Sequence, residues 1–559
     1  MNLKKISVTF VLIIVSAVFI TGANDSYHYK VNKSFELFGE LFREISTNYV
    51  DEVDPEILVR HAIDGMLEYL DVYTVYYNEM DSGDLDILAN GAYTGLGITV
   101  NNLDSMLTVT SVAEGYPAHK AGIRRGDRIL KIDSVEVLDF GSRELRPYTD
   151  GKAGTELDVW ILRDGLDDTL KFTLERERIM VNDVPYHGFI DSGYAFIRLE
   201  RFSRGSENEI RSKLNNMKYS TDSLRGIILD LRDNPGGLLD VAVSISEIFV
   251  DEGDKIVSTK GRFPRTDFSY SSRSTPVFPE IPLIILINEY SASASEVVAG
   301  AIQDLDRGVI LGRTSYGKGL VQSVFSLPYD GNLKMTTAKY YTPSGRCIQK
   351  LDLIRRKNIN SDSAIEEADT NVFHTRNGRP VHEFKGIKPD SIIEAEQNPE
   401  FIRDLIMNHM FFNFANIYTA AMDTLPADFH IDKKIIDEFT AFLGKKAYDY
   451  KPDIIKEIEK LKELAEKENI NGSSLKEIND LKRTLEKDNS YYIGKYSDKI
   501  REHLEFEIKS RFLTESNMIA AELKNDVTTQ TALNIFKTGK YRSFLNFEAK
   551  SRDTTDTEN

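Results

Sequence analysis

The sequence has a single cysteine and a deficit of positive charge. Cys347 has no partner for an intramolecular disulfide, so packing rather than cross-links must hold the domains together. Lysine and arginine number 70 against 88 aspartates and glutamates, and the net charge of −18 argues against a nucleic-acid partner. Hydrophobic residues make up 41% of the 559 residues, enough for sizeable cores. At roughly 150 residues per domain, this length predicts several globular domains.

Long hydrophobic runs are also scarce, and the only one that approaches a membrane-spanning length is at the N-terminus. Lys4 and Lys5 precede the apolar run 6–20, and small residues up to Ala23 follow it. This order is typical of a secretory signal peptide. A retained inner-membrane anchor is the alternative, because spanning becomes feasible at roughly 17 residues. We therefore predict a periplasmic or otherwise exported protein, with 1–23 as its signal peptide or N-terminal membrane tether.

Histidine-based hydrolase motifs are absent. The nine histidines are scattered, and neither a Gly-x-Ser-x-Gly elbow nor a His-Glu-x-x-His zinc motif occurs. The sequence therefore predicts no metal site and no cofactor. A serine nucleophile would need another base, and the remaining common solution is a lysine that burial keeps neutral.

Buried strands alternate with helical patterns in the middle of the chain. Apolar strands at 227–231 and 283–287 are each followed by a helical pattern. Such alternation predicts an α/β core, which we place at 179–395. A polar stretch near 352–383 is predicted to be a surface insertion.

Helical patterns flank this core. In the region 24–84, apolar residues such as Phe35 and Phe38 recur at helical spacing, which we interpret as core helices. The region 396–550 is helical and dense in lysine and glutamate, a composition typical of solvated helix faces. Residues 551–559 have no apolar side chain and are predicted to be disordered.

Residues 85–178 are β-rich and carry two glycine patterns. The first pattern is Gly95, Leu96, Gly97 and Ile98. Amides gathered at such a turn can bind a carboxylate, and the strand that follows can pair with an extended peptide, although the tetrapeptide alone is more often a plain turn. The second pattern, at 117–130, indicates a short helix, a turn and a strand. Together they resemble a PDZ domain, which implies binding of protein C-termini that end in an apolar side chain.

A corner follows the strand at 283–287. Small residues at 291–295 turn the chain into a helix, so a nucleophile there would lie beside helix N-terminal amides that favour an oxyanion. Alone, a serine-rich N-cap is the plainer interpretation. Lys318 completes Gly-x-x-x-x-Gly-Lys, the start of a phosphate-binding loop, but Gly319 stands where that loop needs Ser or Thr. Nucleotide binding is therefore disfavoured.

Three segments together resemble the C-terminal processing peptidases, also called tail-specific proteases. These segments are 291–296, 316–322 and 229–237. The resemblance implies that Ser293 is the nucleophile, that Lys318 is the base, and that Gln322 orients this lysine. It also implies that the amides of Gly237 and Ala294 form the oxyanion hole.

The resemblance further implies a multidomain α/β plus α fold. A crotonase-like, tricorn-core-like α/β peptidase core would carry an inserted PDZ domain and helical N- and C-terminal regions. The predicted function is an exported serine endopeptidase that recognises the C-terminal tails of protein substrates and cleaves them with a Ser/Lys dyad. The alternative is a catalytically inactive PDZ scaffold, which would not need Ser293, Lys318 and Gln322 together. The helical regions could also pair subunits into a homo-oligomer, as related peptidases suggest.

Overall fold

The structure of the protein is a computed structural model. It describes residues 27–78, 91–350 and 371–546, apart from 139, 167, 222, 330, 384, 395, 396, 423, 427, 469 and 471. The predicted signal peptide and C-terminal tail lie outside the described residues, as does most of the predicted polar insertion. Two compact units result: unit 1 comprises the described residues up to Tyr76 with Val324–Met335, and unit 2 comprises those of Tyr77–Ser323 and Thr336–Asn559.

Unit 1 begins with two helices and a short strand: α1 (27–48), α2 (Pro55–Glu68) and β1 (Val75–Tyr77). Asp54 caps α2, because its carboxylate accepts from the first amides of the helix. No residue of α2 is buried, and Phe35 on α1 is 77% exposed. The prediction that these are core helices is therefore wrong for this chain, since their apolar faces are not covered.

The β-rich module is the first part of unit 2. Its elements are β2 (Ala92–Gly95), β3 (Ile98–Leu103), β4 (Met106–Val112), α3 (Pro117–Ala121), β5 (Arg128–Ile132), β6 (Val135–Glu136), α4 (Ser142–Thr149), β7 (Glu156–Leu162), β8 (Leu170–Glu175) and β9 (Glu177–Met180). Strands β3, β4, β5, β7 and β8 form an antiparallel sheet in that order, and β6 pairs with β5. Since β2 pairs with β9, the chain enters and leaves the module side by side, as an inserted domain should.

The α/β core follows. Its elements are β10 (Tyr186–Asp191), β11 (Tyr194–Arg198), α5 (Ser206–Tyr219), β12 (Gly226–Asp230), α6 (Leu239–Ser246), β13 (Lys255–Gly261), β14 (Phe268–Ser271), β15 (Leu283–Ile287), α7 (Ala294–Asp304), β16 (Val309–Gly312), β17 (Leu320–Ser326), β18 (Asn332–Tyr341), β19 (Val372–His374), β20 (Pro380–His382) and β21 (Ser391–Ile392). The main sheet has the order β10-β11-β12-β15-β16-β21 and is parallel except at β10. In a second sheet, β13 pairs with β14 and β18, and β18 also pairs with β17.

The last region is helical, as predicted. Its helices are α8 (Glu400–Met407), α9 (Met410–Thr419), α10 (Lys433–Lys445), α11 (Asp453–Lys467), α12 (Ser473–Leu485), α13 (Asn489–Lys495), α14 (Ser497–Lys509), α15 (Glu515–Glu522), α16 (Val527–Lys537) and α17 (Tyr541–Leu545). Helices α8, α9, α10, α13 and α14 share a core rich in phenylalanine. Across the described ranges, no helix combines the length and apolar character that crossing a membrane requires.

The main sheet is covered on both faces. Alternate side chains point to opposite faces of a strand, so Ile227 and Leu229 of β12 pack with α5 to α7. Ile228 on the same strand packs instead with α15 and α16, through residues such as Ile519 and Ile535. This double burial explains why β12 is apolar throughout. It also gives part of the charged C-terminal region a packing role that its composition did not indicate.

Candidate active site

Three serines at the corner between β15 and α7 have different environments. The Ser291 hydroxyl is buried and donates to the carbonyl oxygen of Leu231 at 2.8 Å. The Ser295 hydroxyl is also buried and donates to the carbonyl oxygen of Asn234 at 2.9 Å. These two serines therefore bind the corner to the loop that follows β12. Ser293, the predicted nucleophile, is the only one of the three that is partly exposed and thus accessible to a substrate.

The backbone of Ser293 is strained. Its φ of 56° and ψ of −113° lie in a region that residues other than glycine rarely adopt. Such conformations cost about 1–3 kcal/mol and are concentrated at functional sites. The Ser293 carbonyl nevertheless begins α7 by accepting from the amides of Glu296 and Val297. The strained residue therefore lies at a helix N-terminus, where free amides favour negative charge.

Two glycines bring the loop after β12 against this corner. A Cβ at Gly236, whose φ is 104°, would lie 2.8 Å from the Cβ of Ser293 and 2.9 Å from the amide nitrogen of Ala294. A Cβ at Gly237 would lie 2.3 Å from the carbonyl oxygen of Phe202. Neither position can therefore hold a side chain. Sequence analysis selected Gly237 and missed Gly236, although both belong to the same glycine pair.

The predicted oxyanion donors lie on these facing segments. The Phe202 amide donates to Gly236 at 3.1 Å, and the Leu238 amide donates to Phe202 at 2.8 Å, so both are engaged. In contrast, the amides of Gly237 and Ala294 donate to no acceptor within the described part of the chain. Neighbouring N–H groups without a protein acceptor are what an oxyanion hole requires.

Lys318, the predicted base, lies in the loop between β16 and β17 and is partly exposed. The amide of Tyr316 in this loop donates to the carbonyl oxygen of Ser291 at 3.0 Å. The Tyr340 hydroxyl donates to the carbonyl oxygen of Lys318. The loop that carries Lys318 is therefore bonded both to the nucleophile corner and to β18.

A buried carboxylate, Glu296, connects the predicted nucleophile to the predicted base. Its Oε2 accepts from the amide of Ser293 at 2.9 Å and from the amide of Lys318 at 2.8 Å. Its Oε1 accepts from the amide of Gly317 at 2.7 Å and from the hydroxyl of Ser315 at 2.5 Å. One carboxylate oxygen accepts from both backbone amides. The distance between the amide nitrogens of Ser293 and Lys318 therefore cannot exceed the sum of these two hydrogen-bond lengths.

Glu296 is fully buried, and burial raises the pKa of its carboxyl although its four hydrogen bonds oppose the shift. Sequence analysis placed this residue only in the first turn of a helix. The available signal was the Ser-x-x-Glu spacing from Ser293, which is typical of a capping box. That local motif accounts for one donor, and the other three come from a loop that is distant in sequence.

Gln322 lies on β17, and its Nε2 donates to the carbonyl oxygen of Leu320 and to the hydroxyl of Thr336, both at 3.3 Å. The strand begins at Leu320, so Lys318 precedes it. Lys318 and Gln322 therefore lie on consecutive elements, the loop and the strand that follows it.

The predicted carboxylate-binding loop joins β2 to β3. Gly95 ends β2, Leu96 is buried in the module core, and Ile98 begins β3. Gly97 has a φ of 77°, and a Cβ there would lie 2.8 Å from the Cβ of Tyr116. The carbonyl oxygens of Leu96 and Gly97 accept from amides of the module at 3.1 and 2.8 Å. The turn thus has the glycine geometry that the PDZ resemblance requires.

Three parts of the chain match family models. Residues 193–355 match Peptidase family S41, residues 94–174 match the PDZ domain, and residues 401–536 match the C-terminal helical domain of probable PDZ-proteases. Together with the fold, these matches define a serine-type peptidase that carries a PDZ domain.

Comparison with individual relatives identifies the kind of serine peptidase. The chain is 38% identical over 343 residues to the carboxy-terminal-processing protease of Bartonella bacilliformis, covering 61% of this chain and 78% of that protein. It is 27% identical over 358 residues to the carboxy-terminal processing protease CtpA of Bacillus subtilis, covering 62% and 76%. A solved photosystem II D1 C-terminal processing protease is 24% identical and covers 65% of this chain and 94% of that chain, with a TM-score of 0.36. The chain belongs to the family of carboxy-terminal-processing proteases.

The predicted family and fold class are thus confirmed, and so is the prediction of a serine protease that is guided by a PDZ domain. The protein is a PDZ-guided serine protease of the carboxy-terminal-processing type. Nothing in these matches favours the inactive scaffold. The PDZ domain indicates that substrates bind through their peptide C-termini.

Proposed function

We propose that this protease cleaves its substrates with a Ser293/Lys318 dyad. The main support is the shared acceptor, since one oxygen of Glu296 binds the backbone of both residues. The Ser293 hydroxyl attacks the scissile carbonyl while neutral Lys318 accepts its proton. The amides of Gly237 and Ala294 stabilise the oxyanion of the tetrahedral intermediate.

In the next step the proton moves from Lys318 to the leaving group. Protonated Lys318 returns the proton to the leaving amine, which frees the C-terminal fragment and leaves an acyl-enzyme on Ser293. A water molecule then attacks the acyl carbonyl while Lys318 takes its proton. Collapse of this second intermediate breaks the ester bond, Lys318 returns the proton to the Ser293 oxygen, and the N-terminal fragment leaves with a new carboxylate. We assign Gln322 to the orientation of Lys318, because contacts to Leu320 and Thr336 fix its amide nitrogen and direct the amide oxygen away from them.

The dyad is tested with an unfolded substrate that has an apolar C-terminus. Ser293→Ala and Lys318→Ala should each lower kcat at least about a thousandfold, because dyad members act as a unit. Lys339→Ala, at an exposed lysine on β18, is the matched control and should leave kcat unchanged. The rate should rise from neutral to mildly alkaline pH, since the base must be neutral. Cleavage that survives either dyad substitution, or a flat pH profile, contradicts the mechanism.

We further propose that the loop from Gly95 to Ile98 binds the terminal carboxylate of the substrate. Backbone amides at such a turn attract an anion, and the apolar Leu96 and Ile98 match an apolar terminal side chain. Amidating the C-terminus of a peptide substrate should therefore lower kcat/KM at least about tenfold, which corresponds to one charge-assisted contact. Equal kcat/KM values for the acid and the amide would exclude carboxylate binding by this loop.

Domain limits and export also remain proposals. The boundaries are 1–23 for the signal peptide or anchor, 24–84, 85–178 for the PDZ domain, 179–395 for the peptidase core, 396–550 and 551–559. The lysine pair, apolar run and small residues at the N-terminus support export to the periplasm. N-terminal sequencing of the protein recovered from the periplasm distinguishes cleavage near Ala23 from a retained anchor, and recovery only from the cytoplasm contradicts export.

Unit 1 supports a homo-oligomer. Several of its apolar side chains are more than one-third exposed: Tyr29, Phe35, Leu37, Leu41, Val324, Phe325 and Tyr329. Apolar surfaces of this kind mark interaction sites, and a second copy offers the same surface for an isologous contact. Phe35→Asp should shift the mass measured by sedimentation equilibrium towards the monomer, whereas Lys33→Asp on the same helix should not. A monomeric unmodified protein would exclude the oligomer.

A further inference from the structure

A cavity of about 1300 Å³ lies within unit 2, away from the predicted dyad. Its walls come from the PDZ domain, from the end of β11, and from the C-terminal helical region. Small-molecule sites have volumes of about 300–1,000 Å³. The larger volume, and walls from three regions, fit a stretch of polypeptide better than a compact ligand.

Part of the cavity wall is the peptide-binding side of the PDZ domain. Leu96, Ile98 and Val100 line it, together with Leu145 on α4. Strand β3 is the terminal strand of its sheet, so within the described residues one of its edges is unpaired. An unpaired strand edge beside an apolar groove can add an extended peptide as a further strand.

Another part of the cavity wall leads to the oxyanion segment. Arg198, Glu200 and Arg201 line the cavity, and Phe202 follows them in the sequence. The main chain of Phe202 pairs with that of Gly237, the proposed oxyanion donor. A chain held at β3 that runs along the cavity therefore travels towards the strand beside the catalytic loops.

A further part of the wall is residues 510–522, which lead into and form α15. Glu515, Met518 and Glu522 all line the cavity, and their spacing of three and four residues puts them on one face of the helix. The neighbouring Asn517 does not line it and is exposed. The helix thus presents one defined face to the cavity.

Two ion pairs and a hydrogen bond hold this wall and the segments that flank it. Before the wall, Arg125 of the PDZ domain pairs with Glu507 at 3.2 Å, and within it Arg511 donates to the side chain of Asn416 at 2.6 Å. After the wall, Asp526 caps the next helix and pairs with Arg232 of the core at 2.9 Å. The position of the wall relative to the PDZ domain and the core is therefore determined by specific contacts.

We propose that residues 510–522 form the second wall of the substrate channel, contacting the extended stretch of substrate upstream of the PDZ-bound tail. The C-terminal helical region then selects substrates by their ability to enter as unfolded chains, in addition to the terminal residue that the PDZ domain reads. The inference rests on the proposed tail binding, and its test separates the two.

The test uses the full chain with Ser293→Ala, so that peptides bind without cleavage. Two peptides share the same apolar C-terminus and have about four and about sixteen residues, which at roughly 3.3 Å per residue differ greatly in reach. Met518→Arg should weaken binding of the long peptide at least about tenfold and leave the affinity for the short peptide unchanged. Asn517→Arg places the same charge outside the cavity and should change neither. Binding of the short peptide shows that each variant is folded.

A photoreactive group in the middle of the long peptide gives a second readout that needs no substitution in the wall. It should cross-link to residues 510–522. Cross-links confined to other segments, or equal affinity of the long peptide for the Met518→Arg and parent chains, overturn the inference while leaving tail binding intact. If neither peptide binds the parent chain, the proposed tail binding fails as well.

Discussion

Removing the carboxylate of Glu296 should separate Ser293, the proposed nucleophile, from Lys318, its proposed base. In Glu296→Ala, four donors lose their acceptor: the amides of Ser293, Gly317 and Lys318 and the hydroxyl of Ser315. A buried donor without a partner costs about 1–3 kcal/mol, and the hydroxyl can rotate to another acceptor while the amides cannot. Because three amides lose their acceptor, the free energy of unfolding should fall by about 3 kcal/mol or more. A fall of this size lowers Tm by about 6–12 °C for a domain of this size.

The fall in kcat should depend on whether the substituted side chain keeps an acceptor oxygen. Glu296→Gln keeps one oxygen, which can hold the amides of Ser293 and Lys318 while its NH2 group faces Gly317. We expect kcat to fall about tenfold for Gln and at least about a hundredfold for Ala, because small displacements of reacting groups are costly. KM should stay within about twofold, since substrate binds elsewhere.

The assay is steady-state kinetics on a tailed peptide, below the measured Tm of every variant. Glu289→Gln is the matched control: this glutamate is at the same corner but exposed and paired with Arg313, so its loss should change neither kcat nor Tm appreciably. A folded Glu296→Ala variant with undiminished kcat, or with a loss confined to KM, would refute the positioning role.

Three further predictions concern the surroundings of the site. Gly236→Ala should lower kcat at least about a hundredfold because the new Cβ would meet Ser293 and Ala294, whereas Gly205→Ala, at a similar φ of 102° but with nothing within 4 Å, should cost only stability. Asp526→Asn should lower the free energy of unfolding in urea by about 2–4 kcal/mol, since Asp526 both caps α16 and pairs with the partly buried Arg232. Although burial opposes it, Arg232 holds the pKa of Asp526 below the ordinary 3.8, so this difference should be full above that pH and shrink as the pH falls through the lower pKa of the folded state. A difference that does not shrink on acidification contradicts the pairing. Burial lowers the pKa of His503 from 6.5, so the stabilising effect of this histidine exists above that pH and is lost on acidification. His503→Phe keeps the stacking on Phe411 and should flatten the fall of Tm between pH 7 and 5. An unchanged slope would exclude His503 as the cause of that fall.

Local sequence signals predicted the parts of the site that local geometry determines. The strand that ends at Ile287, the serine-rich turn and the helix from Ala294 follow from short-range patterns, and the structure has them where the sequence placed them. Of the glycine pair after β12, only Gly237 was predicted, through the family resemblance, and the close approach of Gly236 to Ser293 was missed. Which of the three serines is accessible depended on the neighbouring loop, and only the family resemblance singled out Ser293 beforehand.

Long-range contacts account for what the sequence did not predict. A capping-box spacing explains why Glu296 binds the amide of Ser293, but nothing in that spacing brings the loop of Lys318 to the same carboxylate. Similarly, the charged composition of the C-terminal region hides a few apolar positions, such as Ile519 and Ile535, that cover the second face of the sheet. Burial of a helix by a distant strand is a tertiary property, which composition averaged over 155 residues cannot show.

The two sides of the proposed catalytic site are held by different parts of the protein. The loop with Gly236 and Gly237 follows Arg232, whose side chain pairs with Asp526 of the helical region, whereas the loop with Lys318 is held by Glu296 of α7. A perturbation of the helical region should therefore reach the oxyanion side first. Asp526→Asn is expected to lower kcat without altering the pH dependence of the reaction, whereas Glu296→Gln should change that dependence because it acts beside the base. Identical pH profiles for Glu296→Gln and the unmodified protein would show that the two sides are not separable in this way.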